Sequence, residues 1–270
     1  MCVPRRRRAR DHAMTLDSLR PLPKRLLRIL AIPFAVYVLL VIGVWFGQRG
    51  LIFFPSHNPA ASTKLRPWME GQHTIGYCRE VTNAQAIWLM AHGNAGQAAD
   101  RDYVLDHMSD RDSLYVLEYP GYGGREGAPS MTSINQAAAE AYHVLRSRNP
   151  NTPVCVLGES IGTGAACALA AEKPAPDKIV LLAPFDSLAS VGAERFYFLP
   201  VRLLLRDAWD NIQSLKCYSA PVDIFAATRD EIIPVAHARA LAKDLPRARF
   251  VEITGGHNDW SANDKVKIGL

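Results

Sequence analysis

Ser160 sits in Gly158-Glu159-Ser160-Ile161-Gly162, between a short apolar run at 154–158 and a stretch of small residues suited to a helix. That order predicts a strand, a tight turn and a helix. On such a turn the serine takes a strained backbone conformation that exposes its hydroxyl, and the flanking glycines remove Cβ atoms where the chain doubles back. A serine hydroxyl is a weak nucleophile until an imidazole removes its proton, and the imidazole needs a carboxylate to fix its tautomer and stabilise its cation. His257, freed by Gly255 and Gly256 at the end of the last apolar run, is the candidate base among eight histidines. Asp230, in Thr228-Arg229-Asp230-Glu231 just after another such run, is the candidate acid. Asp186, Asp223 and Asp259 compete with it, and Asp186 is the strongest alternative because it too follows an apolar run.

Acyl transfer also needs donors for an oxyanion. The helix after Ser160 aims its N-terminus at the serine, so the N–H of Ile161 is one candidate donor. The other is the N–H of Asn94 in His92-Gly93-Asn94-Ala95-Gly96, where Gly93 lets the backbone approach closely. His92 is expected to brace that loop and Glu159 to support the site. Tyr122, in Tyr119-Pro120-Gly121-Tyr122-Gly123, reads either as tight-turn chemistry or as a residue lining the substrate pocket.

These residues need a scaffold. Apolar runs at 86–91, 114–118, 154–158, 179–183, 222–227 and 249–253 alternate with helical spacing at 98–108, 134–146, 161–172 and 235–245. Strands apolar throughout and separated by helices predict an α/β fold, with a mostly parallel central sheet covered by helices on both faces. Ligands in such sheets collect at the carboxyl ends of the strands, and every candidate follows one of the runs directly. Residues 48–55 read as a loop or edge strand, and 187–220 as a segment too short for a large lid.

The amino-terminal part is of another kind. No charged residue occurs from Ile29 to Gln48, a run that would reach about 30 Å as a helix, the thickness of a bilayer core. Nine Arg and Lys side chains precede it, so the positive-inside rule predicts a cytoplasmic N-terminus (1–28), a transmembrane helix (29–48) and a catalytic domain (49–270) on the extracytoplasmic side. A cleaved signal peptide is the main alternative, but no A-x-A site follows the run. The formal charge of +5 comes from that basic cluster and the rest is slightly acidic, which argues against a nucleic-acid partner. The five cysteines lack CxxC or CxxH spacing, so neither a metal site nor a disulfide framework is expected, although a Cys78–Cys217 pair is conceivable.

HGNAG, EYPGYGGREG, GESIGTG, TRDEIIP and GGHND, in this order and spacing, resemble the α/β-hydrolase superfamily. Within it they resemble the small, capless serine hydrolases related to acyl-protein thioesterases and serine-aminopeptidase-type enzymes. The resemblance runs from about residue 51 to 260, and residues 207–212 fall where these relatives carry a similar motif. It implies a triad of Ser160, Asp230 and His257 that needs no cofactor and no metal. The expected activity is cleavage of esters or thioesters, with an acyl ester, an acylated lipid or an acylated protein as substrate. A serine peptidase and a catalytically silent, membrane-tethered interaction protein remain open alternatives.

Overall fold

The computed structural model describes residues 24–58 and 63–270, without the side chains of 24–28. Most of the basic segment and Cys2 therefore lie outside the described residues. The described residues fall into two units that divide between Val44 and Trp45. The described part of the first is helical. Helix α1 (Lys24–Ile52) carries a proline inside it, Pro33, and its stretch Ile29–Ile52 is long and apolar enough to cross a membrane. The helix outlasts the uncharged run by one turn through Arg49-Gly50-Leu51-Ile52, so the loop or edge strand expected at 48–55 begins only at Phe53, and Pro55 makes an isolated bridge to Gly96.

The second unit is built on one eight-stranded sheet in the order β1-β2-β4-β3-β5-β6-β7-β8. Its strands are β1 (Arg66–Glu70), β2 (His73–Arg79), β3 (Ile87–Ala91), β4 (Ser113–Leu117), β5 (Val154–Glu159), β6 (Ile179–Leu182), β7 (Val222–Ala227) and β8 (Arg249–Ile253). The six strands β3 to β8 run parallel, and β2 joins β4 antiparallel. Strands β3 to β7 are buried at every residue, which is why they read as unbroken apolar runs and not as alternations. The hairpin β1–β2 was not anticipated: its residues are mostly half-buried or exposed and carry no continuous apolar signal.

One face of the sheet packs against α2 (Met131–Arg148), α3 (Gly162–Ala168), α6 (Asn211–Leu215) and α7 (Val235–Asp244), with Ile134, Tyr142, Ala165, Leu215 and Leu241 in the shared core. The other face holds Trp88, Met90, Val116 and Leu157 against Val104 and Trp260. Those two come from the 3₁₀ segments Ala98–His107 and Asp259–Ala262, so the helical spacing at 98–108 produced a tighter helix than expected. Between β6 and β7, residues 187–220 fold as α4 (Leu188–Arg195), α5 (Val201–Leu204) and α6 and form no large lid.

Candidate active site

The turn between β5 and α3 is tight because its neighbours leave no room. Ser160 has φ +51°, the left-handed region that strains a side-chain-bearing residue. A Cβ at Gly158 would stand 2.7 Å from Thr163 Cα, and one at Gly162 would stand 2.1 Å from the carbonyl oxygen of Ala91. Two residues further a third close approach fixes α3: a Cβ at Gly164 would meet Trp209 Cγ at 2.4 Å. Trp209 is held in turn by its indole N–H to Asn135 at 2.8 Å.

The carboxyl edge of the sheet brings Ser160, His257 and Asp230 together. His257 Nε2 is 2.8 Å from Ser160 Oγ, and His257 Nδ1 is 2.7 Å from Asp230 Oδ2. An ionised carboxylate only accepts, so Nδ1 carries the ring proton and Nε2 presents a lone pair to the serine hydroxyl. The other oxygen of Asp230 accepts the backbone N–H groups of Ile232 and Ile233 at 2.9 and 2.7 Å, which fixes the plane of the carboxylate. All three side chains are almost fully buried. Asp186, the competing acid, is committed elsewhere: it accepts from His237 Nδ1 at 2.9 Å and from the N–H of Ser187 at 2.5 Å. Asp223 bonds Lys178 and Arg249, each at 3.0 Å, and Asp259 accepts the N–H of Gly256.

Asn94 and Ser160 line one cavity of about 500 Å³, together with His257, Phe54, Ile232 and Trp260. The N–H groups of Asn94 and Ile161 enter none of the backbone hydrogen bonds among the described residues, whereas the N–H of Gly93 donates to Glu159 Oε2 at 2.9 Å. Tyr122 does not line this cavity. It is fully buried, and its hydroxyl donates to Asn94 Oδ1 at 2.8 Å, so the expectation of a pocket residue is corrected to a brace behind the loop. Burial pushes its hydroxyl up to about 12, which keeps it protonated and able to donate. The same Asn94 oxygen accepts the N–H of Phe54 at 3.0 Å, and Asn94 Nδ2 donates to the carbonyl of Ile52 at 2.5 Å. His92 is buried, stacks on Tyr119 and takes no part in the Ser160–His257 pair.

Three groups here were not foreseen in detail. Glu159 accepts from Gly93 N–H on one oxygen, and from the Tyr103 hydroxyl (3.0 Å) and the Trp260 indole (3.2 Å) on the other. Arg101 lies 4.0 Å from Glu159 and donates to the carbonyl of Ala95 at 2.8 Å, pinning the loop from its other side. Burial first, and the charge of Glu159 second, raise Tyr103 well above the usual tyrosine value, so it remains a donor. An acid inside a buried turn demands such partners, and that demand is the one signal in the sequence that could have found them. Among the described residues, no group of three or more His, Cys, Asp or Glu side chains is arranged to hold a metal ion. Cys78, Cys155, Cys167 and Cys217 are all free thiols, so the conceivable Cys78–Cys217 pair does not form.

Residues 82–206 match the family described as "Serine aminopeptidase, S33". An uncharacterized protein of Mycobacterium tuberculosis, Rv2307c, is 31% identical over 262 residues, covering 91% of either chain. Lysophosphatidylserine lipase ABHD12 of Macaca fascicularis is 24% identical over 200 residues, which are 67% of this chain and 50% of that protein. Among solved structures, an esterase of Pyrococcus furiosus, Pf2001, superposes with a TM-score of 0.55 at 12% identity, covering 78% of this chain and 95% of its own. TT1662 from Thermus thermophilus gives the same TM-score at 18% identity, over 76% and 95% of the two chains. Sheet order, the strained turn at the end of β5 and these relatives agree, and the chain belongs to the α/β-hydrolase superfamily.

Proposed function

We propose that this protein is a membrane-anchored serine hydrolase that cleaves carboxylic esters or thioesters through an acyl-enzyme. The observation that carries the reading is the continuous relay Asp230–His257–Ser160, with contacts of 2.7 and 2.8 Å, opening into a cavity bordered by Phe54, Ile232 and Trp260. Ser160 Oγ attacks the acyl carbon while His257 Nε2 takes its proton, and Asp230 stabilises the imidazolium. The N–H groups of Asn94 and Ile161 receive the negative charge on the acyl oxygen, in a partly water-excluded site where such donors act strongly. His257 then returns the proton to the leaving alkoxide or thiolate. Water, deprotonated by the same imidazole, releases the acid.

Phe54, Ile232 and Trp260 offer an acyl chain apolar surface in a lining that also carries Arg101, Tyr103, Asn258 and Ser261. Among the described residues the cavity's one carboxylate, Glu159, is already hydrogen-bonded to three donors and not free for a peptide amino terminus. Helix α1 serves as the anchor, with the basic segment on the cytoplasmic side and the catalytic unit on the other. The test uses the full chain in detergent micelles with a fluorophosphonate probe, then a chain-length series of p-nitrophenyl esters, acyl thioesters and aminoacyl amides, with Ser160→Ala as control. Labelling and ester turnover that vanish in Ser160→Ala support the proposal. Preferential cleavage of the amides would make the protein a peptidase, and a wild type that neither labels nor turns over any substrate would leave a silent scaffold.

A further inference from the structure

The segment from α4 to α5 exposes an unusual amount of apolar surface: Tyr197 is 86% exposed and Leu203 83%, with Phe196 and Phe198 about half exposed beside them. Exposed Arg195, Arg202 and Arg206 flank these side chains. Large aromatic and aliphatic groups interleaved with arginines are the composition of a surface that lies in a lipid headgroup region. A segment of this kind on a free water-facing surface would be a liability.

Its location in the fold says what covers it. Gln48, the last residue of the uncharged run in α1, donates to the carbonyl of Leu204 at 3.1 Å and accepts the N–H of Arg206 at 2.8 Å. The guanidinium of Arg206 stacks on the ring of Trp45, 5.4 Å from its centre. One residue further, Arg49 bonds the buried Asp207 at 2.9 Å, and the second oxygen of Asp207 accepts the N–H of Met131 at the start of α2. The turn of α1 that must emerge from a bilayer is thus fastened to α5, side chain to backbone. One turn later the same helix end is fastened to the cavity: Ile52 and Phe54 bond Asn94, and Phe54 lines the opening.

We infer that residues 195–206 form a second, in-plane contact with the lipid surface, which holds the mouth of the Ser160 cavity against the membrane so that acyl substrates enter from the leaflet. This rests on reading α1 as a membrane span. Basic side chains supply attraction to anionic headgroups, and Tyr197 and Leu203 supply buried apolar area. The bonds of Gln48 to Leu204 and Arg206 tie the segment to the last residue of the uncharged run.

The test uses the full chain, with Cys2→Ser and Cys217→Ser leaving only buried thiols, in vesicles of phosphatidylcholine and phosphatidylglycerol. An environment-sensitive fluorophore is attached at Tyr197→Cys or Leu203→Cys, at Phe34→Cys within the span, or at Asn151→Cys, which is exposed at the opposite, amino-terminal edge of the sheet. Phosphatidylcholine carrying a nitroxide high on its acyl chain is the quencher. Quenching at residues 197 and 203 at least twice that at 151 supports the contact. Quenching at 34 with none beyond the level of 151 at the other two overturns it and keeps the anchor, and absence of quenching at 34 as well overturns both.

Discussion

Replacing Asp230 by Asn tests the relay with almost no change of shape. One oxygen of Asp230 accepts two backbone N–H groups, from Ile232 and Ile233, and the other faces His257 Nδ1. An asparagine has one oxygen and one NH₂, and the two backbone donors decide which goes where. Turning the NH₂ toward them would leave the buried N–H of Ile233 without an acceptor, at about 1–3 kcal/mol, whereas the exposed Ile232 can turn to water. The side chain therefore keeps its oxygen on the backbone and points its NH₂ at Nδ1. The imidazole must then accept at Nδ1 and carry its proton on Nε2, facing the serine hydroxyl with a donor where an acceptor is needed. The productive tautomer lies uphill by the same roughly 1–3 kcal/mol, which at 1.36 kcal/mol per factor of ten lowers kcat by about 5- to 150-fold. The assay is kcat on a saturating p-nitrophenyl ester, with the Ser160→Ala rate subtracted and near-ultraviolet circular dichroism confirming the fold. Asp186→Asn is the comparison and leaves kcat within about threefold. A kcat for Asp230→Asn within fivefold of wild type, or a greater loss in Asp186→Asn, would refute the assignment of the acid.

Gly162→Ala sets a Cβ 2.1 Å from the Ala91 carbonyl oxygen, so the turn and β3 cannot both keep their positions, and a loss of about 3 kcal/mol or more is expected. Chemical denaturation reads it, and an unchanged midpoint would show that the turn yields easily. Tyr122→Phe removes the hydroxyl that holds Asn94 without touching the cavity, so kcat falls by about three- to tenfold while KM is unchanged, in line with about 1 kcal/mol for one hydrogen bond. A change confined to KM would restore Tyr122 to the pocket. Burial alone would raise the Asp223 pKa, but hydrogen bonds from Arg249 and Lys178 outweigh it and hold the carboxyl below its ordinary value of 3.8. Its contribution to stability is present above that value and is lost as pH falls through the lower folded one. Asp223→Asn therefore lowers Tm at pH 6, and the gap to wild type narrows below pH 3.8; a gap independent of pH would contradict this.

The parts of the fold that announced themselves were those buried on both sides. Strands β3 to β7 had to be apolar at every position, so their runs marked the sheet and put each candidate residue at its carboxyl edge. The hairpin β1–β2 stayed hidden because an edge pair with one wet face needs only scattered apolar residues, such as Trp68 and Cys78. Helix α1 ran past Gln48 because Arg49 finds Asp207, a partner 158 positions away that no local pattern reveals. Tyr122 was misjudged for a similar reason: a tyrosine in a glycine-rich turn looks available, and only the packing of Tyr119, His92 and Asn94 around it shows that it faces inward. Arg101 and Tyr103 were not read from the sequence, and only the charge of Glu159 inside a buried turn hints that such partners must exist.

The close approach of Gly164 to Trp209 makes two distant positions a single unit of inheritance. A methyl group at 164 would lie inside the indole, so any lineage that enlarges the first position must first shrink the second, and a smaller residue at 209 alone opens a hole beneath the helix that follows the Ser160 turn. Neither single step is neutral, and the pair is expected to co-vary among descendants or not to vary at all. Trp209 also follows Asp207 by two residues, so a drift of the indole would pull on the strut that joins Arg49 to α2. Change at one contact therefore propagates along the chain to Arg49, near the end of the first helix.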